Sequence, residues 1–274
     1  MFKEMFRIGI LGSGSQGNSL IISSGNDAIL VDAGFSRKEI LKRLEKLGFD
    51  PSLIRCVLLT HEHTDHFNGV PVLCDTLKIP LCAAGNVLAM KKRKSARLPQ
   101  QLWSFEPGEQ FCVGAFQVST FPVQHDAIDP VGFVIGCSGL RIGIATDLGE
   151  VGPVVRRNLT NCEVLILESN YDVNMLRNSD RALSLINRID GRHGHLDNRA
   201  AAAALENLLG ERSQLLLLAH RSEECNTYEL VHSGISEALQ KLQKSELPFA
   251  VLSQEKLFRI CRRNDGAFDI GEVL

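Results

Sequence analysis

The stretch Cys56-Val57-Leu58-Leu59-Thr60-His61-Glu62-His63-Thr64-Asp65-His66 constrains this chain more than any other. An apolar run with the composition of a buried strand empties into three histidines and an aspartate. Side chains alternate along an extended chain, so His61 and His63 fall on the same side. Asp65 and His66 follow where the chain turns, and a helix is expected from Phe67. Neutral imidazoles with a carboxylate suit zinc, manganese or iron. Four such groups in so short a span exceed what one small cation takes from one loop. A site for two metals is the better reading.

Other apolar segments end in the same way. Phe116 to Phe121 leads through Pro122, Val123 and Gln124 to His125. Leu140 to Thr146 leads to Asp147, and Gln214 to Ala219 leads to His220. Ala28 to Val31 leads to Asp32. A lone histidine after a strand usually reads as a satisfied polar residue. His61, His125, Asp147 and His220 together, with the compact loop, predict a convergent cluster at strand ends, where layered α/β folds carry chemistry.

The remaining chain supplies strands and helices around that cluster. Gly12-Ser13-Gly14-Ser15-Gln16-Gly17 matches a dinucleotide fingerprint, with Asp32 at the distance of a ribose acid. That fingerprint needs a helix directly after the glycines. Here the short β-branched run Ser19 to Ser23 follows, then a turn and another strand, so a dinucleotide site is rejected. The Gly/Ser loop, with Ser13 and Asn18, either lines the site and meets a phosphate or is a plain tight turn. Ser36 to Glu39 reads as a capping box with a helix stopped by Gly48. Helices are expected over Val70 to Leu77, Val87 to Lys94, Ser179 to Asp190, Asn198 to Leu209 and Thr227 to Leu242. Strands are expected from Leu102 to Thr146, at Val164 to Glu168, and near Phe249 to Leu252 and Leu257 to Ile260.

Lys91, Lys92, Arg93, Lys94 and Arg97 form the one dense basic run. Cations at a helix C-terminus explain it without a ligand; contact with a phosphate backbone is the sharper alternative. The net charge of −2 gives no global pull toward nucleic acid. Eight cysteines, none in C-x-x-C spacing, read as buried free thiols. Met1 to Arg7 lack a signal-peptide core, and no apolar run reaches the ~18 residues of a membrane span. A cytoplasmic protein with no membrane contact and one domain over residues 1–274 is expected.

With those residues in hand, His61-Glu62-His63-Thr64-Asp65-His66 is seen to resemble the H-x-H-x-D-H signature of metallo-β-lactamase-fold metallohydrolases. Asp32, His125, Asp147 and His220 match the family's other motifs in order. Gly12 to Ser19, Glu168 to Asp172 with Met175 and Leu176, and Leu218 to Asn226 resemble the YycJ/WalJ-type subgroup. Two positions depart from it: Asp197 stands where the subgroup has Ser, and Cys225 where it has Asn.

The resemblance implies a four-layer αββα sandwich with two divalent metal ions, zinc foremost and manganese or iron as alternatives. It assigns His61, His63 and His125 to one ion and Asp65, His66 and His220 to the other. Asp147 bridges them, and Asp32 orients the ligand loop. His195 resembles the histidine that faces the substrate phosphate in phosphodiester-cleaving branches, so Asp65 and His195 are the expected catalytic pair. Ser222 and Asn226, beyond His220, are candidate phosphate contacts, with Lys91, Lys92 and Arg93. His193 is expected to be incidental, and His232 structural or exposed. The implied activity is phosphodiester hydrolysis, as a 5′→3′ exonuclease on double-stranded DNA. A small-molecule hydrolase of cyclic phosphodiesters, thioesters or lactones is the alternative, because a fold does not fix its substrate.

Overall fold

The computed structural model describes residues 6–273. Met1 to Met5 and Leu274, which the N-terminal and whole-chain expectations include, lie outside the described residues. The first half runs β1 (Arg7–Gly12), β2 (Ser19–Ser24), β3 (Asp27–Val31), α1 (Arg37–Leu47), β4 (Ile54–Leu58), α2 (Thr64–Phe67), α3 (Val70–Leu77), β5 (Leu81–Ala84), α4 (Gly85–Arg93) and β6 (Leu102–Phe105). The second runs β7 (Gln110–Val113), β8 (Phe116–Pro122), β9 (Val131–Cys137), β10 (Leu140–Ala145), α5 (Pro153–Leu159), β11 (Val164–Glu168), α6 (Val173–Arg177), α7 (Leu183–Ile189), α8 (Asn198–Leu208), β12 (Leu215–Ala219), α9 (Tyr228–Lys241) and β13 (Phe249–Val251). The chain then returns as β14 (Leu257–Arg262) and β15 (Phe268–Val273).

Among the described residues these strands form two sheets. One has the order β15-β14-β1-β2-β3-β4-β5-β6, the other β13-β12-β11-β10-β9-β8-β7. The sequence of β11 explains the layering. Val164 and Ile166 point into a core shared with Ile8, Ile22 and Leu30 of the first sheet. Leu165 and Leu167 alternate to the other face, where they meet Val155 of α5, Leu205 of α8 and Ile235 of α9. On the far side of the first sheet, α1 packs on β1 and β14, α3 on β4 and α4 on β5. Helix, sheet, sheet, helix is the expected αββα sandwich.

Strand direction then collects the site. β3 runs parallel to β4, and β10, β11 and β12 run parallel to one another. β8 and β10 are both antiparallel to β9, so they too share a direction. The C-terminal ends within each sheet therefore emerge together. Those ends deliver Asp32 and His61 from one sheet, and His125, Asp147, Glu168 and His220 from the other.

The Gly/Ser loop leads into a strand, as expected, and not a helix. The cysteines among the described residues are free, six of them buried. No helix there is long and apolar enough to cross a membrane. Local boundaries differ in three places. The helix expected from Phe67 begins at Thr64, with His63 as an extended N-cap, so Asp65 and His66 lie on its only turn. The helix expected over Ser179 to Asp190 starts at Leu183, because Ser179 is spent closing α6 by donating to the Leu176 carbonyl. α5, α6 and β15 are short elements that the periodicity did not announce.

Candidate metal centre

His61 leaves β4 through Thr60, and Asp32 pins that exit. The Thr60 backbone N–H donates to Asp32 Oδ1 at 2.8 Å, and its hydroxyl to Asp32 Oδ2 at 2.9 Å. His66 Nδ1 meets the same Oδ2 at 2.7 Å. A carboxylate on Nδ1 fixes the tautomer and turns Nε2 toward a ligand. Backbone contacts clasp the two loops: Asn18 N–H to Asp65 O at 2.7 Å, Ala33 N–H to His66 O at 2.8 Å. A Cβ on Gly34 would lie 1.7 Å from the Asp65 carbonyl, so only glycine admits this crossing.

The structure brings the candidate ligand atoms together in groups that could each hold a metal ion. His61, His63 and His125 bring theirs within 4.8 Å of one another, and so do Asp65, His66 and His220. Asp147 belongs with His61 and His66, between the two triads. Its Oδ2 is 3.1 Å from His66 Nε2, and its Oδ1 is 3.8 Å from His125 Nε2. His125 Nδ1 donates to the Gly194 carbonyl at 3.0 Å, which leaves Nε2 facing inward.

Three buried atoms here have no hydrogen-bond partner: His61 Nε2, Asp147 Oδ2 and His220 Nε2. Orphaned groups of this kind are rare in native interiors because each costs ~1–3 kcal/mol. All three are atoms of the ligand set. A donor set of five imidazoles and two carboxylates with orphaned atoms fits divalent cations.

The charge pattern agrees. Burial opposes ionisation of Asp147, but His220 and His66 outweigh it and hold the carboxyl well below its ordinary range. Asp65 is held low in the same way, with the neighbouring imidazoles of His220 and His66 overcoming burial. The carboxylates in turn draw positive charge onto imidazoles that burial would neutralise: His66 is raised, and His220 is raised to about 10. His61 goes the other way, lowered first by burial and then by His66. His125 is also lowered, mainly by burial.

Backbone conformation adds a second signature. Asp32, Asp147 and His220 have φ of 59°, 56° and 54°. Each is the residue that turns the chain at a strand end, in the left-handed region that costs non-glycine residues ~1–3 kcal/mol. The flanking strands outweigh this: each buried Leu or Ile beside the turn contributes ~1.5–3 kcal/mol.

His195 stands at the rim with its side chain 21% exposed. Its Nδ1 meets Glu168 Oε1 at 2.9 Å, and His220 Nδ1 meets the same oxygen at 2.7 Å. Glu168 Oε2 accepts from the backbone N–H groups of Leu148 and Leu196, both at 3.0 Å. Burial would raise this carboxyl, but His195 and His220 bring it down to about 2. Burial opposes charge on His195 as well, yet Glu168 and Asp147 raise its pKa. Sequence reasoning missed Glu168 as a site residue. The available signal was an acid closing the otherwise apolar strand Val164–Glu168.

The expected substrate contacts fall in different surroundings. Ser13 is buried, and its Oγ accepts from the His220 N–H at 2.8 Å, so it braces a ligand's backbone. Ser222 Oγ accepts from Cys225 N–H. Asn226 donates to the carbonyls of Ser169 and Asn170. Both are buried and hydrogen-bonded within the protein. Asn18 does reach the centre: its Nδ2 is 3.2 Å from Asp65 Oδ2 and 3.0 Å from His66 Nε2. Lys91 Nζ donates to Glu62 O at 3.1 Å and lies 3.9 Å from the Phe67 ring centroid. Lys92 and Arg93 are exposed. His193 is exposed, and His232 stacks on Tyr228. Asp197 caps α8 through the N–H groups of Arg199 and Ala200. Cys225 is buried in a small cluster with Tyr171 and Leu176.

Comparison with known proteins gives consistent relationships. The profile of the beta-lactamase superfamily domain matches residues 27–220. The chain is 34% identical over 230 residues to exodeoxyribonuclease WalJ of Streptococcus pneumoniae, spanning 83% of this chain and 86% of that one. It is 29% identical over 233 residues to exodeoxyribonuclease YycJ of Bacillus anthracis, spanning 85% and 88%. In three dimensions it is similar to the metallo-beta-lactamase fold protein YhfI from Bacillus subtilis. That match has a TM-score of 0.70 and 14% identity, and covers 93% of this chain and 100% of the other.

Proposed function

The chain belongs to the beta-lactamase superfamily, and from that membership we propose that it is a dinuclear, divalent-metal-dependent phosphodiester hydrolase. Its substrate in this reading is nucleic acid, taken as double-stranded DNA and degraded as an exonuclease in the 5′→3′ direction. The relatives named exodeoxyribonucleases support the choice of substrate. The observation that carries the chemistry is the convergence of seven ligand side chains with three orphaned buried atoms beside a histidine held by Glu168.

His61, His63 and His125 would hold one ion, Asp65, His66 and His220 the other, and Asp147 both. Zinc is the first choice for a set rich in imidazole, with manganese or iron as alternatives. Divalent ions held there supply Lewis-acid polarisation of a phosphoryl oxygen and an acidified water for attack at phosphorus. Asp32, through its bonds to Thr60 and His66, positions the ligand loop. Glu168 fixes the His195 proton at Nδ1 and, with Asp147, favours a second proton on the ring. Nε2–H is then the group that protonates the leaving oxygen, from a rim position that a substrate reaches. General-acid help of this type amounts to ~10²–10⁴-fold.

The test is a substrate panel on zinc- or manganese-loaded protein: 5′-phosphorylated duplex DNA, single-stranded DNA, RNA and bis(p-nitrophenyl) phosphate. Asp65→Ala should abolish turnover. His195→Ala should lower it by ~10²–10⁴-fold with metal content intact. Protein that spares every phosphodiester while cleaving a thioester or lactone overturns this reading.

A further inference from the structure

The basic run beside the centre divides by helix face. Lys91 and Lys94 are three apart on and just after α4, so they share one side of it. Both line an open groove of about 550 Å³ with Glu62, His63, Asp65 and Arg188 of α7. Lys92 and Arg93 do not line it. The groove therefore begins at two residues of the ligand set and runs outward between cations from two separate helices.

The three cations are held differently. Lys91 is tethered to the ligand loop through Glu62 O, and its ammonium lies over Phe67. Lys94 is exposed and makes no ion pair among the described residues. Arg188 pairs with Asp126 through Nε, next to His125; its terminal Nη groups make no hydrogen bond among the described residues. Glu62 points its carboxylate at the Ile128 N–H, 3.2 Å away. Lys94 and the Arg188 fork, from two separate helices, thus remain to meet an anion.

We propose that this groove is the track for the phosphodiester backbone next to the scissile bond, with Lys94 and Arg188 each taking one non-scissile phosphate. The inference rests on the phosphodiesterase reading above and adds which residues outside the metal centre hold the strand. A small phosphodiester fills the metal centre alone and leaves a groove of this size and charge unused. The contacts are to backbone, so they hold a strand without reading its sequence.

Each phosphate contact contributes about 0.9 to the slope of log affinity against log salt. The test measures binding of a 3′-labelled, phosphorothioate-protected duplex DNA by fluorescence anisotropy from ~0.05 to ~0.5 M salt. An RNA duplex of the same sequence forms a second arm. Metal content and circular dichroism establish that each variant is loaded and folded. Lys94→Ala and Arg188→Ala are each expected to reduce the slope by about 0.9, an affinity loss near eightfold at ~0.1 M salt that vanishes near 1 M. Lys92→Ala should keep the wild-type slope. Equal losses in both arms assign the groove to backbone of either kind; loss in one arm assigns it to that nucleic acid. If wild-type protein cleaves bis(p-nitrophenyl) phosphate but the Lys94 and Arg188 variants bind strands with unchanged slopes, or Lys92→Ala loses as much, the groove assignment fails alone. If wild-type protein spares every phosphodiester of the panel, duplex DNA included, the phosphodiesterase reading fails, and the groove assignment with it.

Discussion

Replacing Glu168 by glutamine keeps the shape and removes the charge at the point where His195 and His220 meet. The carboxylate accepts four hydrogen bonds: two imidazole N–H groups on Oε1 and two backbone N–H groups on Oε2. A glutamine has one oxygen, and its NH₂ must face one of these donor pairs. If the NH₂ faces Leu148 and Leu196, two buried backbone donors lose their acceptor at ~1–3 kcal/mol each, on the order of 2–6 kcal/mol together. If it faces the histidines, His220 loses the acceptor that orients it, and His195 loses the partner that holds its proton. Removing such a support typically costs ~10–100-fold in metal affinity, or about 1.4–2.7 kcal/mol. Urea unfolding in chelator reads the first route, and stepwise zinc titration reads the second. One of the two must move. Glu168→Gln with wild-type stability, two tight zinc equivalents and full turnover would refute the assignment of Glu168 as the positioning residue for both histidines.

Other outcomes follow from single contacts. Gly34→Ala drives a methyl group into the Asp65 carbonyl; it should destabilise the protein by at least ~1–3 kcal/mol and weaken zinc binding, checked by thermal melting and metal analysis. Asp32→Ala removes the partner of His66 Nδ1 and two bonds to Thr60; a metal affinity lower by ~10–100-fold is expected from competition with a chromophoric chelator. Asp197→Ala removes the cap of α8 and should cost about 1 kcal/mol, while Asp197→Ser should restore most of it; denaturant midpoints separate the two. Chelation should lower the melting temperature, since ions at 100 times their Kd stabilise the folded state by ~2.7 kcal/mol.

The candidate ligands were legible from two signals: an apolar strand that stops at a histidine or aspartate, and the compact loop that holds His63, Asp65 and His66. His61, His125, Asp147 and His220 carry the first signal locally, and parallel strand direction does the rest. Glu168 carries it too, but an acid at a strand end has many uses, and its two partners lie 27 and 52 residues away. Ser222 and Asn226 show a competing use of polar residues. Polar residues next to a ligand look available to a substrate, yet the turn after His220 uses them to satisfy its own backbone. The basic run needed the helix face as well as the composition: four neighbouring cations read alike, and only Lys91 and Lys94 border the groove. α5 and α6 escaped notice because helices of seven and five residues hold too few turns to establish a period.

The left-handed turns at Asp32, Asp147 and His220 bear on how this protein can be improved. Asparagine or glycine relaxes such a turn, so selection for heat resistance alone should drift first toward those replacements. Sturdier descendants obtained that way would have given up side chains that build the candidate centre. Library screens for robustness should therefore freeze these three codons and seek gains in the α8–α9 layer instead.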